Sequence, residues 1–214
     1  MHATLGRARA AHIRPRLEFA SGRRRDRDQG QPRLPMLNAM NVVVPDPPLS
    51  DGVVTLLVAA IDGDPEISKW LEMIPQPYGE AEAKAWIAAA QGMWRDGTAA
   101  TFGVRANGEV VAGCGVNWID REHAVGDIGY WAGRDARGHG YVTRAVQLAA
   151  RWSFDCGCER LQLRADAENE PSLRVAERAG FTREGVQRSA RYNPRLGRRM
   201  DFVVFSLLPG ELDR

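Results

Sequence analysis

Residues 126–145, with the sequence GDIGYWAGRDARGHGYVTRA, constrain the fold of this chain more than any other segment. An apolar strand runs into a turn with glycine at positions 138 and 140, and the turn opens a helix. Because glycine has no Cβ, the backbone at Gly138 and Gly140 can lie against a ligand. The N–H groups of residues 138–143 have no intrahelical acceptor. The segment therefore predicts an anion site at a helix N-terminus.

Positive charge accompanies this turn. The helix dipole adds about half a positive charge at its N-terminus, and Arg134, Arg137 and a protonated His139 would add more. Neither common phosphate motif fits, since no lysine lies here for a P-loop and no third glycine stands at the spacing of the dinucleotide fingerprint. The ligand must then be a phosphate-bearing molecule of another class. The alternative is a tight turn whose glycines serve geometry and whose arginines serve solubility.

Two motifs, in order and about 30 residues apart, resemble those of the GNAT superfamily of N-acetyltransferases. The segment RGHGYV at 137–142 resembles its R/Q-x-x-G-x-G/A pyrophosphate loop, with valine in place of the final glycine or alanine. Residues 166–181, DAENEPSLRVAERAGF, resemble its N-x-x-S and G-F motif. The tail, with Glu184-Gly185, Arg191, Asp201 and a closing FSLL, resembles the Rim-type branch, which acetylates ribosomal-protein N-termini and has many small-molecule relatives.

The resemblance covers roughly residues 50–210 and implies an α/β fold. Its central sheet is expected to be mixed, mostly antiparallel and flanked by helices, with a splayed strand pair that binds the cofactor. We expect a single acetyltransferase domain over 37–214. Residues 1–36 are predicted to be a disordered basic leader, and a mis-assigned start codon is the alternative explanation.

Charge and composition limit the other classes of protein to which the chain could belong. Residues 1–35 hold nine arginines against three acidic residues, so the remainder carries a net charge of −4 in a chain whose total is +2. A nucleic-acid-binding surface is therefore not expected on the folded domain. The sequence has no apolar stretch of 18 residues, so no membrane span is predicted. The three cysteines and four histidines do not cluster, so no metal site is expected. The cysteines are interpreted as small buried residues without disulfides, so a reducing cytoplasm is the expected location.

Periodicity and turn residues predict the remaining elements. Strands are predicted over 51–58, 101–106, 109–119, 123–131, 160–165, 181–191 and 200–208, and helices over 66–74, 80–94, 139–155 and 169–180. Asn107-Gly108 predicts a hairpin turn. Since the first two helices line the acceptor pocket in the superfamily, Trp70, Tyr78 and Trp86 are candidate substrate contacts, with core packing as the alternative.

Acetyl-coenzyme A is the cosubstrate that the resemblance implies. The loop would hold its pyrophosphate, and backbone amides near Tyr130 and Trp131 would meet the thioester carbonyl. Asn169 would cap its helix and reach the coenzyme A arm. The complete cofactor-binding set predicted in this way is Tyr130, Trp131, Arg137, Gly138, His139, Gly140, Tyr141, Val142, Thr143, Asn169 and Ser172.

Two residues are candidates for proton transfer. Many relatives carry a general-acid tyrosine four residues before the glycine of G-F, where this chain has Ala176, and Ser172 is the nearest replacement. Asp127 stands where Rim-type relatives often have glutamate before I-G-Y-W, so it is the candidate base, acting directly or through water. Asp120, Glu122 and His123 are weaker candidates.

The predicted function is transfer of an acetyl group from acetyl-coenzyme A to a primary amine, either a protein N-terminus or a small molecule, by direct attack on the thioester. The alternatives are a non-catalytic coenzyme A-binding or sensing domain, an acyltransferase with a longer acyl donor, and a nucleic-acid-associated protein that uses the basic leader. Arg195, Arg198 and Arg199 form either an exposed basic turn or a site for an acidic acceptor. Whether the protein forms a homodimer is left open.

Overall fold

The computed structural model describes residues 61, 64–106 and 109–212. Its helices are α1 (Pro65–Trp70), α2 (Glu80–Asp96), α3 (Tyr141–Asp155) and α4 (Glu170–Arg178), and a 3₁₀ turn covers Arg134–Ala136. Its strands are β1 (Ala100–Ala106), β2 (Glu109–Asp120), β3 (Val125–Ala132), β4 (Arg160–Asp166), β5 (Thr182–Asn193) and β6 (Arg198–Leu207). No helix in this part of the chain is long and apolar enough to cross a membrane.

Within the described residues, six strands form one open sheet in the order β1-β2-β3-β4-β6-β5. Every neighbouring pair is antiparallel except β3 and β4, which are parallel. Parallel neighbours need a long crossover connection, and α3 provides it between β3 and β4. The mixed, mostly antiparallel α/β sheet flanked by helices that the sequence predicts is confirmed.

The main core lies between α3, α4 and one face of the sheet. Val142, Ala145, Val146 and Ala149 recur at helical spacing on α3 and are buried against the strands, as expected for an amphipathic helix on a sheet. Leu161 and Leu163 of β4 face this core. Because side chains alternate along a strand, the intervening residues of β4 project from the opposite side, called the polar face below.

A smaller cluster packs the first two helices onto the sheet. It joins Ile67 of α1, Tyr78 before α2, Ile87 of α2 and Val110 of β2, with Trp131 of β3 against it. The N-terminal helices therefore lie close to the polar face at the end of β3.

Some element boundaries differ from those predicted. The helix predicted over 66–74 ends at Trp70, because Leu71 leaves helical geometry and Arg195, distant in sequence, binds the carbonyl oxygens at this end. The helix predicted from 139 begins at Tyr141, because Gly140 is left-handed with φ +76°. The strand predicted from 123 begins at Val125, after a turn over 121–124.

Other predictions fall on residues outside the described ranges. They are the strand at 51–58, the leader at 1–36 and the turn residues 107–108 themselves. The hairpin that those turn residues predicted does form, since Ala106 pairs with Glu109 and β1 is antiparallel to β2. The homodimer stays a prediction.

Candidate active site

The parallel strands β3 and β4 separate partway along their length. Their pairing runs from Val125 opposite Arg160 to Ile128 opposite Leu163 and then stops, although β3 continues to Ala132 and β4 to Asp166. From Gly129 onward, the β4-facing backbone of β3 is left without a strand partner. The predicted splayed strand pair is therefore present.

The glycine turn after β3 forms an open cradle. Gly138 and Gly140 have φ +80° and +76°, a region that L-residues with a Cβ rarely adopt. A Cβ built on either glycine meets no described atom within 4 Å. The first hydrogen bond at the start of α3 runs from Arg144 N–H to Gly140 O at 3.1 Å, so the N–H groups of residues 141–143 have no acceptor in the helix. Such donors suit a phosphate.

The departure from the family loop motif at Val142 leaves this cradle intact. The Val142 side chain is buried in the core under α3, so it points away from the exposed backbone of the loop. The neighbouring rings of His139 and Tyr141 stack with centroids 5.5 Å apart. His139 is exposed, whereas Tyr141 is half-buried and packs against the core under α3.

Arg137 is directed toward the N-terminal part of the domain. Its Nη2 lies 2.5 Å from Oδ2 of Asp64, which is buried, and 3.2 Å from the carbonyl oxygen of Ala132. The ion pair joins the phosphate loop to the N-cap of α1, since Asp64 also accepts the N–H of Glu66. In this arrangement Arg137 fixes the loop, and its charge is shared with Asp64.

Ser172 lies in the first turn of α4, beside a phenol from β3. Asn169 is the N-cap, and its side chain accepts the Ser172 N–H at 3.2 Å, so its predicted capping role is observed. The Tyr130 hydroxyl donates to the Ser172 carbonyl oxygen and lies 2.9 Å from Ser172 Oγ. Burial raises the pKa of Tyr130 well above its ordinary value. Ala176 is fully buried one helical turn beyond Ser172.

Asp127 lies on the polar face at the point where the strands part. It is 5% exposed, and its two oxygens accept hydrogen bonds from three side chains. Asn117 donates to Oδ1 at 3.2 Å, while Gln162 and Arg164 donate to Oδ2 at 3.1 and 3.2 Å. A carboxylate has about four acceptor sites, so Oδ1 can still accept one further hydrogen bond. Its role as the base stays a prediction.

The weaker base candidates lie in an exposed turn. His123 Nδ1 is 3.0 Å from Asp120 Oδ2, and the hydrogen bond raises the pKa of His123. The pKa of Asp120 is lowered, chiefly by the backbone and side-chain hydrogen bonds of His123. Neither residue, nor Glu122, lines the cavity described next.

A cavity of about 850 Å³ joins the cradle, the splayed strands and the polar face. Its lining includes Trp70, Tyr78 and Trp86, the predicted acceptor contacts. Tyr78 is buried and Trp86 packs on the same small cluster, so both also serve the core. Asp127, Tyr130, Ser172 and Asn169 line the same cavity.

The β5–β6 hairpin borders this cavity through Arg191, which is part of the cavity lining. Arg195 donates to the carbonyl oxygens of Ser68, Leu71 and Ile74 at the end of α1, and Arg191 pairs with Glu72 at 2.7 Å.

The other two arginines of the turn are also engaged. Arg198 pairs with Asp166 and Glu168, and Arg199 donates to Ser189. The basic turn predicted from the sequence is thus a set of structural contacts, and the pairing gives no support to a site for an acidic acceptor.

Several site residues were not found from the sequence. Asn117, Gln162 and Arg164 converge on Asp127 from neighbouring strands, and Asp64 meets Arg137 from 73 positions away. The alternating pattern of β4 is the one local signal, because it places Gln162 and Arg164 on the face opposite Leu161 and Leu163. Within the described ranges, no three His, Cys, Asp or Glu side chains are grouped as metal ligands.

Comparisons with known proteins agree with this geometry. Residues 48–182 match the family described as the acetyltransferase (GNAT) domain. The uncharacterized N-acetyltransferase p20 of Bacillus licheniformis is 32% identical over 151 residues, which are 69% of this chain and 83% of that protein.

Solved structures share the fold. The microcin C7 self-immunity acetyltransferase MccE, in complex with acetyl-coenzyme A and AMP, superposes with a TM-score of 0.69 at 21% identity, covering 80% of this chain and 93% of that one. An acetyltransferase from Salmonella typhimurium that modifies the N-terminal serine of ribosomal protein L7/L12 gives 0.70 at 19% identity, covering 82% and 98%. At these identities the likeness concerns the fold.

The family match covers more than half of the chain and includes both the glycine cradle and the α4 cap. The splayed strands and the open cradle lie within residues 48–182, the region that matches this family. The chain belongs to the acetyltransferase (GNAT) family and, as a member of it, is an acetyl-coenzyme A-dependent acetyltransferase.

Proposed function

We propose that this protein transfers the acetyl group of acetyl-coenzyme A to a primary amine, either a protein N-terminus or a small-molecule amine, by direct attack on the thioester. The observation that carries the proposal is that one cavity connects the glycine cradle, the strand gap and a polar face able to admit an amine. Holding both reactants in one cavity is itself a large part of such catalysis.

The cradle fits a pyrophosphate. Its exposed backbone donors at residues 138–143 would bind phosphate oxygens, and the two left-handed glycines leave the space that such a group needs. Tyr141, Val142 and Thr143 would contribute N–H groups from the first turn of α3. In this proposal, Arg137 holds the loop through Asp64, and His139 lies at its exposed edge.

The strand gap fits the extended arm of the cofactor. Backbone groups of β3 from Gly129 to Ala132 lack a β4 partner and would pair with the amides of the arm, near Tyr130 and Trp131. Asn169, at the opposite side of the gap, is proposed to contact the arm through the part of its amide that is not used in capping.

Acetyl-coenzyme A supplies a thioester whose carbonyl carbon forms a bond to the amine nitrogen while the carbon–sulfur bond breaks. The departing sulfur then takes a proton. We assign this proton to the Ser172 hydroxyl, which Tyr130 holds at the N-terminus of α4. The proton that the amine nitrogen loses on becoming an amide then returns to Ser172 through water, so the hydroxyl is restored. A coenzyme A thiol is a fairly good leaving group, so this assistance accelerates the reaction without being indispensable.

A protein N-terminus is the first acceptor to test. The Salmonella relative modifies an N-terminal serine of a ribosomal protein, which supports this class of acceptor without deciding between proteins and small molecules. The cytoplasm is the proposed compartment, where acetyl-coenzyme A and free thiols such as Cys114 and Cys158 coexist.

Thiol release is the decisive assay. Purified protein and acetyl-coenzyme A are mixed with a panel of amines that contains a hexapeptide with a free N-terminal serine, a matched N-terminal alanine peptide and small primary amines. Amine-dependent thiol release is expected, with a product about 42 Da heavier than the amine. Coenzyme A binding without thiol release for any amine would instead identify a non-catalytic binding domain, and preference for longer acyl-coenzyme A donors would identify a different acyltransferase.

A further inference from the structure

A β-bulge places Asn117 above the start of the strand gap. In the pairing of β2 with β3, Val116 lies opposite Ile128 and Trp118 lies opposite Asp127, so Asn117 is the extra residue. Bulges re-aim side chains and are common beside active sites. The exposed side chain of Asn117 leans across β3 and reaches Asp127.

Gly129 provides the space in which the Asn117 amide lies. A Cβ built on Gly129 would be 2.2 Å from Asn117 Nδ2 and 2.8 Å from its Cγ, distances that real Cβ atoms do not show. The amide therefore lies flat against the backbone of Gly129. This glycine directly follows Ile128, the last residue of β3 that pairs with β4. The amide thus covers the first residue of the splayed segment.

Asp127 determines which way the amide faces. Asn117 Nδ2 donates to Asp127 Oδ1 at 3.2 Å, and an ionised carboxylate can only accept, so the nitrogen of the amide must face Asp127. Within the described residues, no group donates a hydrogen bond to Asn117 Oδ1. Asp127 is itself held by Gln162 and Arg164. Asn117 lines the cavity that joins the strand gap to the polar face.

We propose that Asn117 Oδ1 accepts a hydrogen bond from the acceptor amine, and that Asp127 is a positioning residue that holds the Asn117 amide in this orientation. The inference rests on the proposed function, because it requires an amine beside the strand gap. A neutral primary amine can donate one N–H to Oδ1 and keep its lone pair free for attack. Asn117 binds and orients the amine and does not take its proton.

The Asn117→Ala variant tests this with steady-state kinetics on the amine of the panel that the unchanged protein acetylates fastest. Loss of one hydrogen bond of about 1–2 kcal/mol raises the KM for that amine about five- to thirty-fold. The KM for acetyl-coenzyme A stays unchanged and serves as the internal control. Glu159→Gln, an exposed change in the turn before β4, should leave both constants unchanged.

Gly129→Ala supplies an independent test, because its methyl group would displace the Asn117 amide. It should raise the amine KM as Asn117→Ala does, and combining the two should add little, since both changes remove the same contact. An additive double variant would show that the methyl group acts by another route. Because Asn117 is exposed, Asn117→Ala is expected to fold even if Gly129→Ala does not.

The role of Asp127 is tested by its pH dependence. Asp127→Asn should raise the amine KM and leave the shape of the kcat/KM–pH profile unchanged, since a positioning residue does not take the proton. Loss of one limb of that profile would make Asp127 the base and overturn the positioning role. An unchanged amine KM in Asn117→Ala would overturn the inference while leaving the proposed function intact, whereas no turnover of any amine by the unchanged protein would refute both.

Discussion

Replacing Gly140 with alanine tests the phosphate loop. Gly140 is the N-cap of α3 with φ +76°, and left-handed geometry costs an L-residue with a Cβ about 1–2 kcal/mol. A Cβ built there meets no described atom within 4 Å, so the penalty comes from the backbone alone. We expect the free energy of unfolding of Gly140→Ala to fall by about 1–2 kcal/mol.

Coenzyme A binding should weaken by more than this strain. The alanine relaxes by moving its φ toward negative values, and this rotation turns the adjacent N–H groups out of the cradle. A hydrogen bond to a charged group contributes about 1.5–3 kcal/mol. Losing one such bond raises the Kd of coenzyme A about ten- to a hundredfold.

Gly210→Ala is the matched control. Gly210 has φ +83° in the turn after β6, and a Cβ built there also meets no described atom within 4 Å. Urea denaturation should give both variants a similar loss of stability, while calorimetric titration with coenzyme A should show weaker binding only for Gly140→Ala. Equal Kd values for the two variants would refute the assignment of the cradle to the pyrophosphate.

Three further sets of variants address the Ser172–Tyr130 pair, the arginines of the β5–β6 hairpin and the exposed Asp120–His123 pair. Ser172→Ala should lower kcat by about a hundredfold, the lower end for general-acid catalysis, and Tyr130→Phe should lower it less. Because burial raises the pKa of Tyr130, its phenol stays protonated and the pH–rate profile of the unchanged protein should have no alkaline limb that Tyr130→Phe removes. Arg195→Ala should lower the free energy of unfolding by about 1–3 kcal/mol in urea and raise the amine KM more than the acetyl-coenzyme A KM, whereas Arg199→Ala should leave the amine KM unchanged. Asp120→Asn should lower the pKa of His123 in an NMR titration. The ion pair stabilises the fold from about pH 4 to 6.5. This stabilisation is lost as the pH rises through the raised pKa of His123, and it is also lost as the pH falls through the lowered pKa of Asp120.

The glycine turn after β3 could be predicted from the sequence because its determinants are local. Gly138 and Gly140 impose the turn, and the apolar spacing of α3 fixes the helix that follows. The Asn169 cap is equally local, since its acceptor and the N–H of Ser172 are three positions apart. For the same reason the order of strands and helices followed from periodicity and turn residues.

The polar face could not be predicted because its contacts are set by strand register. Asn117 and Arg164 meet Asp127 only after β2, β3 and β4 are aligned, and a bulge at Asn117 leaves no mark in the residue pattern. The end of α1 was misjudged for a related reason. Its last carbonyl groups are capped by Arg195, which comes more than 120 positions later.

The contacts between α1 and the β5–β6 hairpin make one side of the cavity depend on two segments that are far apart in the chain. Arg191 pairs with Glu72, and Arg195 donates to carbonyl oxygens at the end of α1. A change in one segment should therefore move the other. Natural variation that retargets the enzyme to a new amine should alter residues 66–78 and 191–199 in concert.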